Sequence, residues 1–550
     1  MATQVTGAGG TTTSFSNTPQ AKDDTFLYSE DAGGVLILNV LANDLGGAAK
    51  TLYSIDDTVS ASTATKTYAP ADLLTKDITY SSSNDSAGAA GTTDTSQLGA
   101  KIWIASDGTI HYSTASIDGL LQSLAAGQVL IDKVTYAIQL GNGTLSWATA
   151  TIQFTGTNDK PDIHLVAGDS AAASLNETNS PLTASGTLTV NDADLSDTVS
   201  ASVTSVSLGG TTGGLNSAAV INMLTVSPAS LSADAGETHN LTWTFNSTPQ
   251  AFDFLAAGET LTLSYTIKAD DGHVGGTDTQ TVTITINGTN DAPDISVGSG
   301  DSAAAGLNET NAPLTANGTL TVTDADLSDT VTPSVTMVSP VGPTGGLSNA
   351  TLLGMLTVAP GSLAANPTDS HNLGWTFNST PQAFDFLAAG ETLTLTYTIK
   401  ADDGHVGGTD TQTVTITITG ANDAAVITGD DTGSVIEASG VANGTPGTSP
   451  ATGDLDATDV DSLNAFSVLT NGVHGTLSIN AAGEWSYVLN EDDAAVQALN
   501  TGDPALTDTI TVQTSDGTTK DIVISINGAN DAAVITGDDT GSVIEASGVA

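Results

Sequence analysis

Residues 260–291 read TLTLSYTIKADDGHVGGTDTQTVTITINGTND. In the first third, Leu261, Leu263, Tyr265 and Ile267 alternate with Thr262, Ser264, Thr266 and Lys268. In the last third, Val282, Ile284 and Ile286 alternate with threonines. A period of two puts one row of side chains in a core and the other in water, the pattern of a half-buried strand. β-branched residues suit that pleated surface. The Asp-Asp-Gly and Gly-Gly between the runs are turn residues. Two strands joined by a Gly-rich loop, ending in an acidic Asn-Asp, are therefore expected here.

Working outward, the same pattern recurs. Residues 243–291 reappear as 375–423 with only Ser264/Thr396, Asn287/Thr419 and Thr289/Ala421 exchanged. Asp159, Asp291 and Asp423 stand 132 residues apart, and Asp531 follows 108 residues after Asp423. Repeats of that length are whole domains rather than solenoid turns. The closing strands "TGTNDKPDI", "NGTNDAPDI", "TGANDAAVI" and "NGANDAAVI" mark the borders. The expected beads are 21–159, 160–291, 292–423 and 424–531. A tail covers 1–20, and 532–550 reads as the start of a further truncated repeat, since 531–550 copy 423–442. Short strands between Gly, Asn and Asp turns, in units of this size, argue for antiparallel β-sandwiches. Trp243, Phe245, Phe252, Phe254 and Tyr265 are the expected core anchors of bead two, and Trp375, Phe377, Phe384, Phe386 and Tyr397 those of bead three. The joints are too short to be loose linkers, and Pro161 and Pro293 stiffen two of them.

The charge narrows the partners. Sixty-one acidic residues against ten basic ones give a net charge of −51. Such a surface repels nucleic-acid phosphates and anionic membranes, so neither nucleic acid nor membrane insertion is expected. No cysteine is present, so disulfides and thiolate metal sites are excluded. No apolar run is long enough to span a bilayer, and MATQVTGAGGTTTSF lacks the basic and apolar regions of a signal peptide. No Gly-x-Ser-x-Gly, His-Glu-x-x-His or phosphate-cradling loop occurs. With aromatics at 4%, a sugar-cleaving cleft is not expected, and no enzyme is read in this chain.

The acids recur at fixed places. Bead two carries Glu177 in "LNET", Asp192 and Asp194 in "NDADLSD", Asp270 and Asp271 in "KADDGH", and Asn290–Asp291. Bead three carries Glu309, Asp324, Asp326, Asp402, Asp403 and Asn422–Asp423; bead four carries Glu437, Asp459, Asp461, Asp516 and Asn530–Asp531. Side chains at i and i+2 of a strand point the same way, and sandwich loops gather at the two ends. Hard oxygen donors without His or Cys suit Ca²⁺. Any one Asp-Gly or Asn-Asp is equally an ordinary turn. Bead four is the better witness for the set, because its middle differs while its acids stay in place. Bead one has "AIQLGNG" at 137–143, without an acid, as fits a first bead with no upstream joint. His273 and His405 beside "DDG" read as solvated turn residues.

The string "FDFLAAGETLTLTYTIKADDG…TQTVTITITGANDA" resembles the cadherin repeat and, more closely, the VCBS-type cadherin-like repeats of large bacterial RTX-type surface adhesins. The likeness covers beads two to four closely and bead one loosely. It implies an all-β chain of tandem antiparallel β-sandwiches, cadherin- or immunoglobulin-like, arranged as an elongated rod with Ca²⁺ in its joints. Carried over by position, the first joint would use Asn158, Asp159, Asp192, Asp194 and Asp270, with Glu30 as a weaker basal candidate. The second would use Glu177, Asn290, Asp291, Asp324, Asp326 and Asp402. The third would use Glu309, Asn422, Asp423, Asp459, Asp461 and Asp516. The linker departs from the cadherin pattern at Gly288 and Ala292, and "FDFLAAGET" replaces the Leu-Asp-Arg-Glu motif, leaving Asp253 and Glu259 open. The implied function is a calcium-stiffened stalk for cell adhesion or biofilm formation. It would sit outside the cell or on its surface after type I secretion, with homotypic, cell-surface or carbohydrate contacts made by parts beyond this chain. A surface-layer or matrix protein, and the non-catalytic carrier region of a secreted hydrolase, are the alternatives.

Overall fold

A computed structural model describes residues 20–56, 72–80 and 94–545, with the backbone alone of 3–6 and 12–15. The protein is all-β: tandem β-sandwiches, each with its own apolar core. It divides into two units, 1–289 and 290–550. Beads one and two lie in the first, beads three and four in the second.

The hairpin 260–287 shows why the sequence folds this way. Tyr265 pairs with Val282, Leu263 with Ile284 and Leu261 with Ile286, all fully buried. The alternating pairs Thr262–Thr285, Ser264–Thr283 and Thr266–Thr281 face outward. This hairpin is the centre of one sheet, in the order Ala172–Asn176, Thr277–Asn287, Thr260–Asp270, Thr198–Gly210, Ser230–Ser232. The facing sheet runs Asp162–His164, Thr183–Asn191, Leu241–Asn246, Leu224–Ser227. Trp243, Phe245, Phe252 and Tyr265 fill the space between them, while Phe254 is only partly buried at its margin. Bead three repeats this, with Phe386 the partly buried one. Gly186 is required by the Trp243 ring, since a β-carbon there would lie 2.6 Å from it.

One pairing departs from the antiparallel expectation. The strand Ala172–Asn176 runs parallel to the last strand of its bead. Ala304–Asn308, Thr432–Ile436 and Asp24–Ser29 do the same in the other beads. The parallel register carries this strand to the bead's exit, and a glutamate follows it each time. The backbone N–H groups of Glu30, Glu177, Glu309 and Glu437 donate to Thr155, Asn287, Thr419 and Asn527 of the respective last strands. Topology thus fixes these four carboxylates beside the chain leaving each sandwich.

Two kinds of buried polar anchor distinguish the beads. In beads one and four an aspartate sits inside: Asp132 accepts from Tyr112 (2.6 Å) and Asp508 from Tyr487 (2.7 Å). In beads two and three Phe245 and Phe377 stand where bead four has Tyr487, and the buried hydroxyls of Tyr265 and Tyr397, in the other sheet, donate to the carbonyls of Val220 and Leu352. Bead two instead has a latch at Asp169, which accepts from His239 Nδ1 (2.6 Å), Thr187 (2.7 Å), Thr189 (2.7 Å) and the Val166 N–H (3.1 Å). Burial alone would raise its pKa, but the bonds from His239, Thr187 and Thr189 outweigh it and bring it down to about 2. A depressed carboxylate stabilises the fold above its unfolded value and loses that contribution as pH falls through the folded one. Asp169→Asn is therefore expected to cost bead two on the order of 1–2 kcal/mol above pH ~4. The difference from the parent should vanish toward pH ~2, as read by pepsin cleavage of the opened bead.

Candidate metal centres at the bead junctions

The junction between beads one and two is built from one exit and two loops. The Asp159 N–H donates to Asp194 Oδ2 (2.9 Å) and Asn158 Nδ2 to Asp271 Oδ2 (3.0 Å). Asp192 and Asp194 follow the strand Thr183–Asn191, and an Asp192 Oδ1 bond from the Asp194 N–H (3.0 Å) turns the chain so that both carboxylates fold inward. Glu30 Oε1 is taken by the Thr157 hydroxyl (2.7 Å) and N–H (2.5 Å). What remains is a set of buried oxygens with no donor: Glu30 Oε2, Asn158 Oδ1, Asp192 Oδ2 and Asp194 Oδ1. Asp192 and Asp194 are 2% and 0% exposed. Burial, and then mutual repulsion with neighbours that include Asp159 and Asp197, pushes both up to about 6. Glu30 is raised by burial against its Thr157 bonds, with Asp159 and Asp31 adding to it. Asp159 is raised by burial and by Asp31.

In the second unit, Asn290 and Asp291 meet bead three in the same way. Asn290 Nδ2 donates to Asp403 Oδ2 (3.0 Å) and the Asp291 N–H to Asp326 Oδ2 (2.8 Å). Asp324 Oδ2, Asp326 Oδ1 and Asn290 Oδ1 are buried without donors. Desolvation first, and neighbouring acids after it, raise Asp324 to about 6 and Asp326 to about 7. At the exit of bead three, oxygens of Glu309, Asp385 and Asp423 lie within 4.8 Å of one another. The Asp423 N–H donates to Asp461 Oδ2 (3.1 Å), and Asp459 Oδ2 and Asp461 Oδ1 are left without donors. Asn422 Nδ2 turns to the Asp423 carbonyl (2.8 Å). Glu309 is raised by burial and then by Asp423, and Asp423 by burial and then by Asp385. At the exit of bead two, Glu177 accepts from the Thr289 hydroxyl (2.6 Å) and is raised by burial, with Asp253 beside it adding to the rise.

Three expected ligands stand elsewhere. Asp270 bonds to Lys268 (2.5 Å) and the Gly272 N–H (2.9 Å), and Asp402 to Lys400 and the Gly404 N–H. Their neighbours Asp271 and Asp403 face the junctions instead, because consecutive residues at a strand end point to opposite sides. Asp516 is saturated by the Thr514 and Thr518 hydroxyls and by the Ala425 N–H (3.0 Å). In beads two and three the place of Ala425 is taken by Pro161 or Pro293, which has no N–H to offer, and the Ile163 or Ile295 N–H goes to Asp278 or Asp410. Asp385, the bead-three counterpart of the Asp253 left open by the sequence, joins Glu309 because "FDF" is a turn under the bead's exit.

These residues fit a hard divalent cation. They offer carboxylate and amide oxygens, several fully buried and lacking any donor. Ca²⁺ takes six to eight such oxygens in a pliable shell. Two carboxylates about 4 Å apart repel by roughly 4 kcal/mol at an effective dielectric near 20, so the clusters are costly while uncompensated.

Residues 422–528 match the bacterial cadherin-like domain. Beads two and three share that bead's arrangement of a strand parallel to the last one, an exit glutamate and an Asp-x-Asp loop. Over 422–528 the chain is similar to a cadherin-like domain. Among solved structures it is similar to protocadherin gamma B2 extracellular cadherin domains 1–5, at 13% identity and a TM-score of 0.37, covering 96% of this chain and 82% of that one. It is also similar to Drosophila N-cadherin EC1–4, at 11% identity and a TM-score of 0.25, covering 92% and 98%. For mouse cadherin-23 EC22–24 the values are 12% and 0.32, covering 68% and 100%. No curated protein matches the chain. No helix among the described residues is long and apolar enough to cross a membrane.

Proposed function

We propose that this cadherin-like array is a calcium-stiffened extracellular stalk of a bacterial surface adhesin of the VCBS and RTX kind. It would be exported by a type I route and serve attachment or biofilm formation, with its borders at Asp159, Asp291, Asp423 and Asp531. The observation that carries this reading is the cage of donor-less, buried oxygens where the exit of one bead is already hydrogen-bonded to the loops of the next. Ca²⁺ would be held by Glu30, Asn158, Asp159, Asp192, Asp194 and Asp271 at the first joint. Glu309, Asp385, Asp423, Asp459 and Asp461 would hold it at the third. At the start of the second unit, Asn290, Asp291, Asp324, Asp326 and Asp403 would hold it. The ion supplies positive charge; the chain supplies position. Asp159 and Asp423 hold the neighbouring loop by their backbone N–H groups, and the glutamates stay beside the exit through the parallel strand pair.

Repeat modules outside the cell bind Ca²⁺ at roughly 10⁻⁴–10⁻³ M, so the joints lock where calcium is plentiful and stay loose in the cytosol. Small-angle scattering of the full chain with 5–10 mM Ca²⁺ (about tenfold above that range) and after chelation tests this. The maximum dimension is expected to fall and its distribution to broaden on chelation, while the β-sheet circular dichroism stays. An unchanged scattering profile would refute the locking.

A further inference from the structure

The Gly-rich loops of beads two and three hold a nitrogen donor that the oxygen cages do not use. His273 Nδ1 lies 3.3 Å from Asp197 Oδ2 and 3.6 Å from Asp271 Oδ1. The Asp197 side chain is 8% exposed and that of Asp271 fully covered, whereas the imidazole is 42% exposed. Asp197 Oδ2 is buried and receives no hydrogen bond. It is an oxygen more than nine-tenths buried, aimed at a ring nitrogen. Asp192 Oδ2, also buried and without a donor, belongs to the same loop. Bead three repeats the arrangement, with His405 Nδ1 3.2 Å from Asp329 Oδ2 and 3.6 Å from Asp403 Oδ1. Bead four does not: Asn464 and Thr518 stand where the others have Asp197 and His273, and Thr hydroxyls saturate Asp516.

We propose that His273, Asp197 and Asp271, and in bead three His405, Asp329 and Asp403, each form a site for a transition-metal dication of the Zn²⁺ class, next to the all-oxygen cage and sharing Asp271 or Asp403 with it. The donor chemistry sets the class. Ca²⁺ is served by oxygens, whereas imidazole suits zinc and its neighbours. The spacing agrees. Ligands at about 2.1 Å around a tetrahedral centre stand ~3.4 Å apart, close to the two separations above. Two carboxylates balance the charge of the ion, and the open side of the imidazole leaves the fourth position to water. Asp271 spends Oδ1 here and Oδ2 on Asn158, so one carboxylate links this site to the junction. The competing reading is a protonated imidazole paired with Asp197 and no metal.

The experiment titrates Co²⁺, an optically active stand-in, into the full chain saturated with Ca²⁺, then adds Zn²⁺. Two equivalents are expected, with the intense visible absorption of four-coordinate cobalt, erased by zinc. His273→Ala and His405→Ala should each remove one equivalent, and the double variant both. The calcium stoichiometry of the same samples should not change, which shows that the beads and cages are intact. Cobalt binding by the double variant equal to that of the parent, or no such absorption in the parent, would overturn the proposal. Repeating the titration on calcium-free protein separates it from the stalk reading: two cobalt equivalents there would uphold this site even if the joints took no calcium.

Discussion

Asp192→Asn with Asp194→Asn is expected to change the first junction in opposite directions with and without calcium. With Ca²⁺, the cage loses two anionic ligands whose free oxygens have no other partner. Changes one layer further out from a metal already cost 10–100-fold in affinity, so direct removal of two charges should cost about 100-fold or more. Isothermal titration should show this as the loss of the tightest sites, leaving those of the third joint untouched. Without Ca²⁺ the same variant should be firmer than the parent. Each carboxyl stands at about 6 instead of 3.8, held there by burial and by neighbouring acids. At 1.36 kcal/mol per unit, ionising each at neutral pH strains the metal-free junction by on the order of 2–3 kcal/mol. A raised acid destabilises most above its folded pKa and is relieved as pH falls toward its unfolded one. The metal-free parent should therefore tighten between pH 7 and 4, and the variant should not. Proteolysis at the Asp159–Lys160 linker reads both effects. Equal cleavage of parent and variant in chelator would show that the buried charge is not under strain.

Asp508→Ala is expected to unfold bead four or bring it close to that point. Asp508 is 2% exposed and accepts from the Val473 N–H (2.7 Å), the His474 N–H (2.9 Å) and the Tyr487 hydroxyl (2.7 Å). Alanine leaves the buried Tyr487 hydroxyl and two part-buried N–H groups unmet, at about 1–3 kcal/mol for the buried one and less for the others, together with a small cavity. The deficit, of order 3–5 kcal/mol, approaches the 5–15 kcal/mol by which domains are stable. Hydrogen exchange across 506–527 should rise steeply, while 260–287 in bead two keeps its protection. A change below ~1 kcal/mol would mean that water takes over the three bonds.

The alternating hairpins were legible because a period of two survives wherever one face is buried, and Trp243 and Tyr265 took the core places their bulk demands. Phe254 and Phe386 were over-read: in "FDF" the first aromatic is buried and the second is left at the margin. The recurring acids pointed to the bead ends, yet which of two adjacent aspartates turns inward depends on where the strand stops, and Asp270 against Asp271 differ by that one step. Asp385 had no periodic signal, since its place follows from a turn packed under the exit. The parallel pairing with the last strand joins residues about ninety or more positions apart and leaves no local mark. Asp516 illustrates the converse: its motif is kept, but threonines on both sides have given it another task.

That parallel pair has a consequence for load. In each bead the strand that leads to the exit glutamate lies beside the last strand and points the same way. Once the short opening strand, Asp162–His164 in bead two, has come away, tension between these two draws them past each other, so their rungs must be sheared all together instead of being peeled one at a time. Each sandwich is thereby a clasp against pulling.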